Sequence, residues 1–192
     1  MRAVQAGVFG GPEVLAVREL PDPVAGPGEV VVDVAAADVM FLDTRLRGGW
    51  GTDFFAIEPP YVPGGAVSGV VASVGPDVDP AWVGKRVSTQ TAASGVGGGL
   101  PIGGYAEKAL AKAETLVAIP DGVTMTQAVA LAHDGRTALA VFDRAAIQPG
   151  EWVLITAAGG GLGILLIQLA KAAGANVVAA ARGAAKLDLA GR

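Results

Sequence analysis

Along the first 120 residues, the apolar positions fall into short runs that proline and glycine interrupt. The clearest runs lie at residues 30–35, 67–74, 83–87 and 106–111. Short apolar runs bounded by turn residues are typical of β-strands, so the pattern predicts a compact β domain. A glycine-rich stretch at 92–104 indicates a loop, because no helix signal follows it to build a phosphate site.

The pattern changes at residue 124. Apolar residues then recur at three- and four-residue spacing up to residue 145, which predicts two short helices interrupted at Asp134 and Gly135. A strand, a helix, a second strand and the start of another helix are expected at 151–157, 161–173, 176–181 and from Ala184 onward. This succession predicts one β-α-β unit, which requires parallel strands and a crossover helix.

Two domains follow from this change of pattern, a β domain at residues 1–123 and an α/β domain at residues 124–192. A doubly wound parallel sheet normally has about six strands, and the second domain has room for only two. We therefore expect this α/β domain to be incomplete.

A glycine-rich turn joins the first expected strand of the α/β domain to its helix. Gly159, Gly160, Gly161 and Gly163 follow the apolar strand directly and open the helix. Small residues here let the backbone approach a pyrophosphate, which the free amides and dipole of the helix then stabilise. The alternative is a glycine turn needed only for packing; the position between strand and helix favours the dinucleotide site.

The end of the second expected strand indicates which dinucleotide binds. NAD-selective sites place an acid there for the ribose 2′-hydroxyl, whereas a 2′-phosphate needs cations. Between the end of this strand and Asp188, the chain has the cations Arg182 and Lys186 and no acid. An arginine can grip a phosphate with two hydrogen bonds and a lysine adds a point charge, so the sequence predicts NADPH as the cofactor. The alternative is that both are ordinary solvated cations.

Composition excludes several classes of partner. The net charge is −4, and the Lys and Arg residues form no basic stripe, so nucleic acid is not expected as a partner. The uncharged stretch 152–170 approaches the length of a membrane span, but its four glycines favour a buried strand and helix. The chain has no cysteine, and its first residues do not form a signal peptide; we expect a cytoplasmic protein.

The chain resembles the zinc-free quinone oxidoreductase (ζ-crystallin-like) branch of the medium-chain dehydrogenase/reductase superfamily over its whole length. The motifs that carry this resemblance are Gly10-Gly-Pro-Glu-Val-Leu15, Phe41-Leu-Asp-Thr44, Pro63-Gly-Gly-Ala-Val-Ser-Gly-Val-Val-Ala-Ser-Val-Gly75, Gly84-Lys-Arg-Val87, Gly104-Tyr-Ala-Glu107, Asp134-Gly-Arg-Thr137 and Ala157-Ala-Gly-Gly-Gly-Leu-Gly163. The resemblance implies a GroES-like β domain followed by a Rossmann domain, which is expected to be incomplete here. With the strand count, it implies part of a chain of about 300 residues, and a full-length member is expected to form homodimers.

The resemblance also implies roles for individual residues. Thr137 is expected near the nicotinamide of NADPH. The pyrophosphate would be lined by Ala158, Gly159, Gly160, Gly161 and Leu162. The implied reaction is hydride transfer to a quinone or an α,β-unsaturated carbonyl.

Departures from the family pattern concern metal and substrate. Zinc-containing relatives have Cys, His and Glu at the positions of Met40, Gly65 and Ala66, so no catalytic zinc is expected here. Met40 replaces an Asn common in quinone oxidoreductases, which indicates a more apolar substrate pocket, and Tyr61 is a candidate for its rim. Tyr61 and Tyr105 are the only phenols, and neither is assigned as the proton donor; the catalytic residue stays unknown.

Three functions remain open from the sequence. The first is an NADPH-dependent quinone or enone reductase. The second is an enoyl reductase of the fatty-acid or polyketide type, which shares the fold and the cofactor chemistry. The third is a nucleotide-binding regulatory or structural protein without turnover, an interpretation that Met40 and the lack of an assigned acid support.

Overall fold

The computed structural model describes residues 1–91 and 102–191 and divides into two compact units, Met1–Ala132 and His133–Arg192. The expected loop at 92–104 lies outside the described residues except for its last three positions. The sequence predicts a domain boundary between residues 123 and 124, whereas the boundary between the compact units falls between residues 132 and 133 of the chain.

The first unit holds seven strands and two helices in its described residues. In chain order they are β1 (Arg2–Ala6), β2 (Leu15–Glu19), β3 (Glu29–Ala37), α1 (Phe41–Arg47), β4 (Ala66–Val74), β5 (Arg86–Gln90), β6 (Lys108–Lys112), β7 (Val117–Ala118) and α2 (Met125–Ala130). Strands β1 and β2 form an antiparallel pair, and the other five form a sheet in the order β6-β3-β4-β5-β7. This confirms the predicted β domain.

Valines from three neighbouring strands form the core of that five-stranded sheet. Val30 and Val32 of β3, Val67 of β4 and Val87 of β5 are fully buried. Branched side chains pack well on a pleated surface, which explains why these runs form the central strands. The run expected at 83–87 forms a strand only from Arg86, because Gly84 turns the chain with a φ of 79°.

Helix α2 belongs to the first unit, which accounts for the later boundary. It packs on β3, β4 and β5. The Ser68 hydroxyl of β4 donates to the Met125 carbonyl at 2.8 Å, and Arg86 of β5 donates to the Val123 carbonyl. The apolar spacing of 124–145 predicted the helices but not which sheet the first of them covers.

The second unit is built around one β-α-β arrangement. Its elements are α3 (Asp134–Ala145), β8 (Trp152–Thr156), α4 (Gly161–Ala172), β9 (Asn176–Ala180) and α5 (Ala184–Ala190). Strands β8 and β9 are parallel, with Trp152 opposite Asn176 and Thr156 opposite Ala180. The predicted β-α-β unit is confirmed. Asp134 begins α3 instead of interrupting the helical segment. A negative charge at a helix N-terminus interacts favourably with the helix dipole.

Helix α4 covers one face of the two-stranded sheet. Ile167 and Ala170 of α4 are buried against Ile155 of β8, whereas Trp152 and Leu154 on the other face of β8 are 76% and 65% exposed. Within the described residues, no helix has the length and apolarity needed to cross a membrane.

Candidate functional site

The glycine turn leaves β8 through a left-handed residue. Ala157 has a φ of 51°, and the amide of the fully buried Ala158 donates to the Ala180 carbonyl of β9 at 3.1 Å. The Gly160 amide donates back to the Ala157 carbonyl at 3.0 Å. The turn is therefore tied to both strands before α4 begins.

Close packing requires glycine at two positions of this turn, Gly159 and Gly163. A Cβ on Gly159 would lie 2.7 Å from the Lys186 Cβ, and one on Gly163 would lie 2.6 Å from the Ala157 carbonyl oxygen. A Cβ on Gly161 would collide with the carboxylate of Asp134. At Gly160 the nearest atom would be the Ala157 oxygen at 3.4 Å, an ordinary contact. Packing alone thus explains Gly159 and Gly163, whose neighbours include backbone atoms, but not Gly160 or Gly161, since the Asp134 side chain can rotate away.

The first turn of α4 meets the requirements of an anion site. Its N-cap residue is the exposed Gly160, which has no side chain to cap the helix, and the Asp134 carboxylate lies near Gly161. The first amides of a helix have no partner within it and carry the positive end of its dipole. Amide donors at the positive end of a dipole favour an anion such as a pyrophosphate over a cation. Leu162, in the same turn, is half-buried.

Two cations lie in the described segment after β9. Arg182 and Lys186 are both exposed, and the backbone of Lys186 packs against Gly159 of the turn. Helix α5 begins at Ala184 after Gly183, whose φ of 91° turns the chain. In residues 1–91 and 102–191 no ion pair involves either cation. Their binding to the 2′-phosphate of NADPH stays a prediction.

Thr137 lies on the first turn of α3 and is exposed. Its hydroxyl donates to the His133 carbonyl at 3.0 Å, so in this conformation the helix backbone takes the hydrogen bond. His133 is the N-cap residue of that helix. The expected contact between Thr137 and a nicotinamide stays a prediction.

The two candidates for the substrate pocket differ in exposure. Met40 is half-buried at the N-cap of α1. Tyr61 is only 4% exposed and packs with Leu46 and Ile57 in a second apolar cluster. Its position at a pocket rim therefore gains no support from its burial, and the substrate-pocket assignment stays a prediction that rests on Met40.

Both phenols have raised pKa values. Burial raises the pKa of Tyr105 well above its usual range, and the nearby Asp43 carboxylate, which accepts the Tyr105 hydroxyl at 3.2 Å, raises it further. Burial also raises the pKa of Tyr61, with a second contribution from Asp43. A raised pKa makes a phenol a weaker acid, so neither gains support as a proton donor.

Asp43 was not selected from the sequence. It is 7% exposed, and burial raises its pKa although the Met40 amide, the Tyr105 hydroxyl and the Gly64 amide oppose that effect. An acid three residues after an N-cap is the acidic half of a capping box. The signal was hidden because the N-cap is Met40 and not Ser or Thr.

We expect Tyr61→Phe to stabilise the protein by about 1 kcal/mol. The Tyr61 hydroxyl is buried and has no hydrogen-bond partner among the described residues, so its removal relieves an unpaired polar group. Urea denaturation measures the effect. Tyr105→Phe is the matched control, since it deletes a phenol that is hydrogen-bonded, and it should destabilise. A loss of stability in Tyr61→Phe would contradict the prediction.

Among residues 1–91 and 102–191, no group of three or more His, Cys, Asp or Glu side chains is arranged to hold a metal ion. Met40 begins α1, Gly65 precedes β4 and Ala66 is the first residue of that strand. Zinc independence stays a prediction from the side chains at these positions.

Comparison with known proteins identifies the family. The alcohol dehydrogenase GroES-like domain matches residues 26–121, which is half of the chain. A human quinone oxidoreductase is 35% identical over 94% of this chain and 53% of its own length. The quinone oxidoreductase of Thermus thermophilus, solved also in complex with NADPH, superposes with a TM-score of 0.78 at 34% identity, covering 99% of this chain and 56% of that one. The chain belongs to the quinone oxidoreductase branch of the medium-chain dehydrogenase/reductase superfamily.

Family membership confirms the predicted fold, a GroES-like β domain followed by part of a Rossmann domain. A 2-haloacrylate reductase from a Burkholderia species is also similar, 34% identical over 88% of this chain and 49% of its own length. The chain spans about half the length of the curated relatives it matches. Its membership of an oxidoreductase family is thereby established, while the activity of the whole protein is a matter for proposal.

Proposed function

We propose that the protein is an NADPH-dependent reductase that transfers hydride to a quinone or an α,β-unsaturated carbonyl without zinc. The observation that carries this proposal is the N-terminus of α4, where the N-cap residue is the exposed Gly160. Lys186 packs against Gly159 in the same turn. Its relatives include quinone oxidoreductases and a 2-haloacrylate reductase, whose named substrate is an α,β-unsaturated acid.

The residues of the second unit would hold NADPH by its charged groups. The amides at the start of α4 would donate hydrogen bonds to the pyrophosphate, with Ala158, Gly159 and Leu162 shaping the turn around it. Arg182 and Lys186 would bind the 2′-phosphate, and Thr137 would lie near the nicotinamide. NADPH, when bound, supplies the hydride for the reaction.

On the acceptor side, this chain offers an apolar surface with no assigned acid. Met40 contributes a polarisable thioether that accommodates flat, unsaturated ligands. Tyr61 and Tyr105 have raised pKa values, so we infer that the reduced acceptor takes its proton from solvent. A quinone allows this, since its reduced oxygens are accessible to water once it leaves the site.

The test is NADPH oxidation, followed by its ultraviolet absorbance, with a quinone panel, an enone panel and an acyl-thioester enoyl panel. We expect turnover with quinones or simple enones and unchanged rates after treatment with a zinc chelator. Turnover of enoyl thioesters alone would favour the fatty-acid or polyketide enoyl reductase. NADPH binding without oxidation by any acceptor would contradict the proposal and favour a regulatory or structural protein.

Two further expectations concern the whole protein. The homodimer implied by the family resemblance would be measured by light scattering on the purified protein. A cytoplasmic location would be measured by cell fractionation.

A further inference from the structure

The first unit contains a buried carboxylate that accepts hydrogen bonds from three donors, the Met40 amide, the Tyr105 hydroxyl and the Gly64 amide. Asp43, in the first turn of α1, is 7% exposed. Its Oδ2 accepts hydrogen bonds from the Met40 amide at 2.8 Å and from the Tyr105 hydroxyl at 3.2 Å. One oxygen therefore joins the start of α1 to a residue 62 positions later in the chain.

Tyr105 is in turn joined to the segment at residues 63–65. Its amide donates to the Pro63 carbonyl at 2.9 Å. Its ring lies directly on Gly64, where a Cβ would come within 2.5 Å of a ring carbon. The next link is Thr91, whose hydroxyl donates to the Gly64 carbonyl at 3.0 Å. The carboxylate of Asp43 thus fixes the backbone of Met40 relative to residues 63–65 in two ways, through the Tyr105 phenol and through the Gly64 amide.

This arrangement is costly for the folded state. Burial raises the pKa of Asp43, and the hydrogen bonds to the carboxylate only partly oppose that effect. The neighbouring Asp38 raises the pKa further, because two like charges repel. A buried charge seldom adds stability compared with an apolar group of the same size. Such a group is more readily explained by a function than by stability.

We propose that Asp43 is a positioning residue for the electron acceptor. Together with Tyr105, it holds Met40 and the segment at 63–65 in one fixed arrangement and thereby sets the affinity for the acceptor. The inference rests on the proposed reductase function and on Met40 as a residue of the acceptor pocket. It assigns no chemical step to Asp43.

Kinetics of the purified protein test this role with four variants. Asp43→Ala removes the acceptor of all three hydrogen bonds, and we expect KM for the quinone to rise about tenfold. Tyr105→Phe removes one bond and should raise it about threefold to fivefold. Asp43→Asn keeps an oxygen of the same shape and should stay within about threefold of the wild type. KM for NADPH should change little, because the proposed cofactor contacts lie in the second unit.

Thr44→Ala is the matched control. Thr44 lies beside Asp43 in the same helical turn and donates to the Phe41 carbonyl at 2.7 Å, but it is exposed and does not contact the carboxylate. It should leave both KM values unchanged. A merely structural Asp43 would act differently: its variants would lower the melting temperature and change both KM values by similar factors. That result, or no change in quinone KM in Asp43→Ala and Tyr105→Phe, overturns the inference.

Hydrogen exchange separates this inference from the proposed function. Peptides covering residues 38–46 and 61–66 should exchange faster in Asp43→Ala than in the wild type and in Thr44→Ala, whether or not an acceptor is turned over. Unchanged exchange in both peptides overturns the positioning role even in an active reductase. If no acceptor oxidises NADPH but the two peptides exchange as expected, the proposed function is contradicted. The positioning of Met40 and residues 63–65 by Asp43 is then still supported.

Discussion

Replacing Arg182 and Lys186 together with alanine is expected to weaken NADPH binding about 100-fold and NADH binding by less than about threefold. The 2′-phosphate is the only group that distinguishes the two cofactors, and charge-assisted hydrogen bonds to it contribute roughly 1.5–3 kcal/mol each. Both side chains are exposed, so their removal should not disturb the fold. Either single variant should show part of the loss.

Fluorescence titration with each dinucleotide measures the effect. The control is Lys171→Ala, which removes an exposed cation from the last turn of α4, at the opposite end of that helix from the glycine turn. It should leave the preference for NADPH unchanged, which separates a specific contact from a loss of net positive charge. Equal weakening of NADPH and NADH by the double substitution would contradict the 2′-phosphate assignment.

The β-α-β unit could be predicted because its signals are local. An apolar strand, a run of glycines and an apolar helix follow each other within residues 151–173, and a second strand comes after one short turn. Each element needs only its own residues to be recognised. The observed bounds differ from the predicted ones by one residue at most, at Trp152–Thr156, Gly161–Ala172 and Asn176–Ala180.

The role of each glycine could not be predicted in the same way. The backbone of Lys186 excludes a side chain at Gly159, and the Asp134 carboxylate lies against Gly161; both neighbours are distant in the sequence. Such contacts depend on how α3 and α5 pack within the second unit. The pattern therefore predicted the turn but did not separate the glycine open to a ligand, Gly160, from those that packing requires.

The first unit shows the opposite limitation. Helix α1 was not predicted, since its seven residues are too few to show a helical period. In the sequence, Asp43 was noted only as part of a family motif. Its importance depends on Tyr105, which the fold brings to it from a distant part of the chain. A buried polar tie of this kind leaves almost no pattern in a sequence.

Gly163→Ala is expected to destabilise the second unit by about 1–3 kcal/mol or more. A Cβ at this position would lie 2.6 Å from the Ala157 oxygen and 2.7 Å from the Ala158 Cα, and both are backbone atoms of the turn. The turn cannot move freely, because the Ala158 amide is bonded to β9. Helix α4 must therefore shift away from β8 and loosen the contact between Ile155 and Ile167. Thermal unfolding followed by circular dichroism measures the loss.

Gly160→Ala is the control that separates packing from cofactor binding. Gly160 has a φ of −96° and a ψ of 167°, which alanine adopts without strain, and no atom is closer than 3.4 Å to the added Cβ. Alanine restricts the unfolded chain but is a poorer N-cap than glycine, so the two effects should nearly cancel in stability. Its methyl group would instead lie where the pyrophosphate is proposed to approach. For Gly160→Ala we expect normal stability and weakened NADPH binding, and for Gly163→Ala a loss of stability. Equal losses of stability in the two variants would contradict the distinction between Gly160, which is open to a ligand, and Gly163, which packing requires.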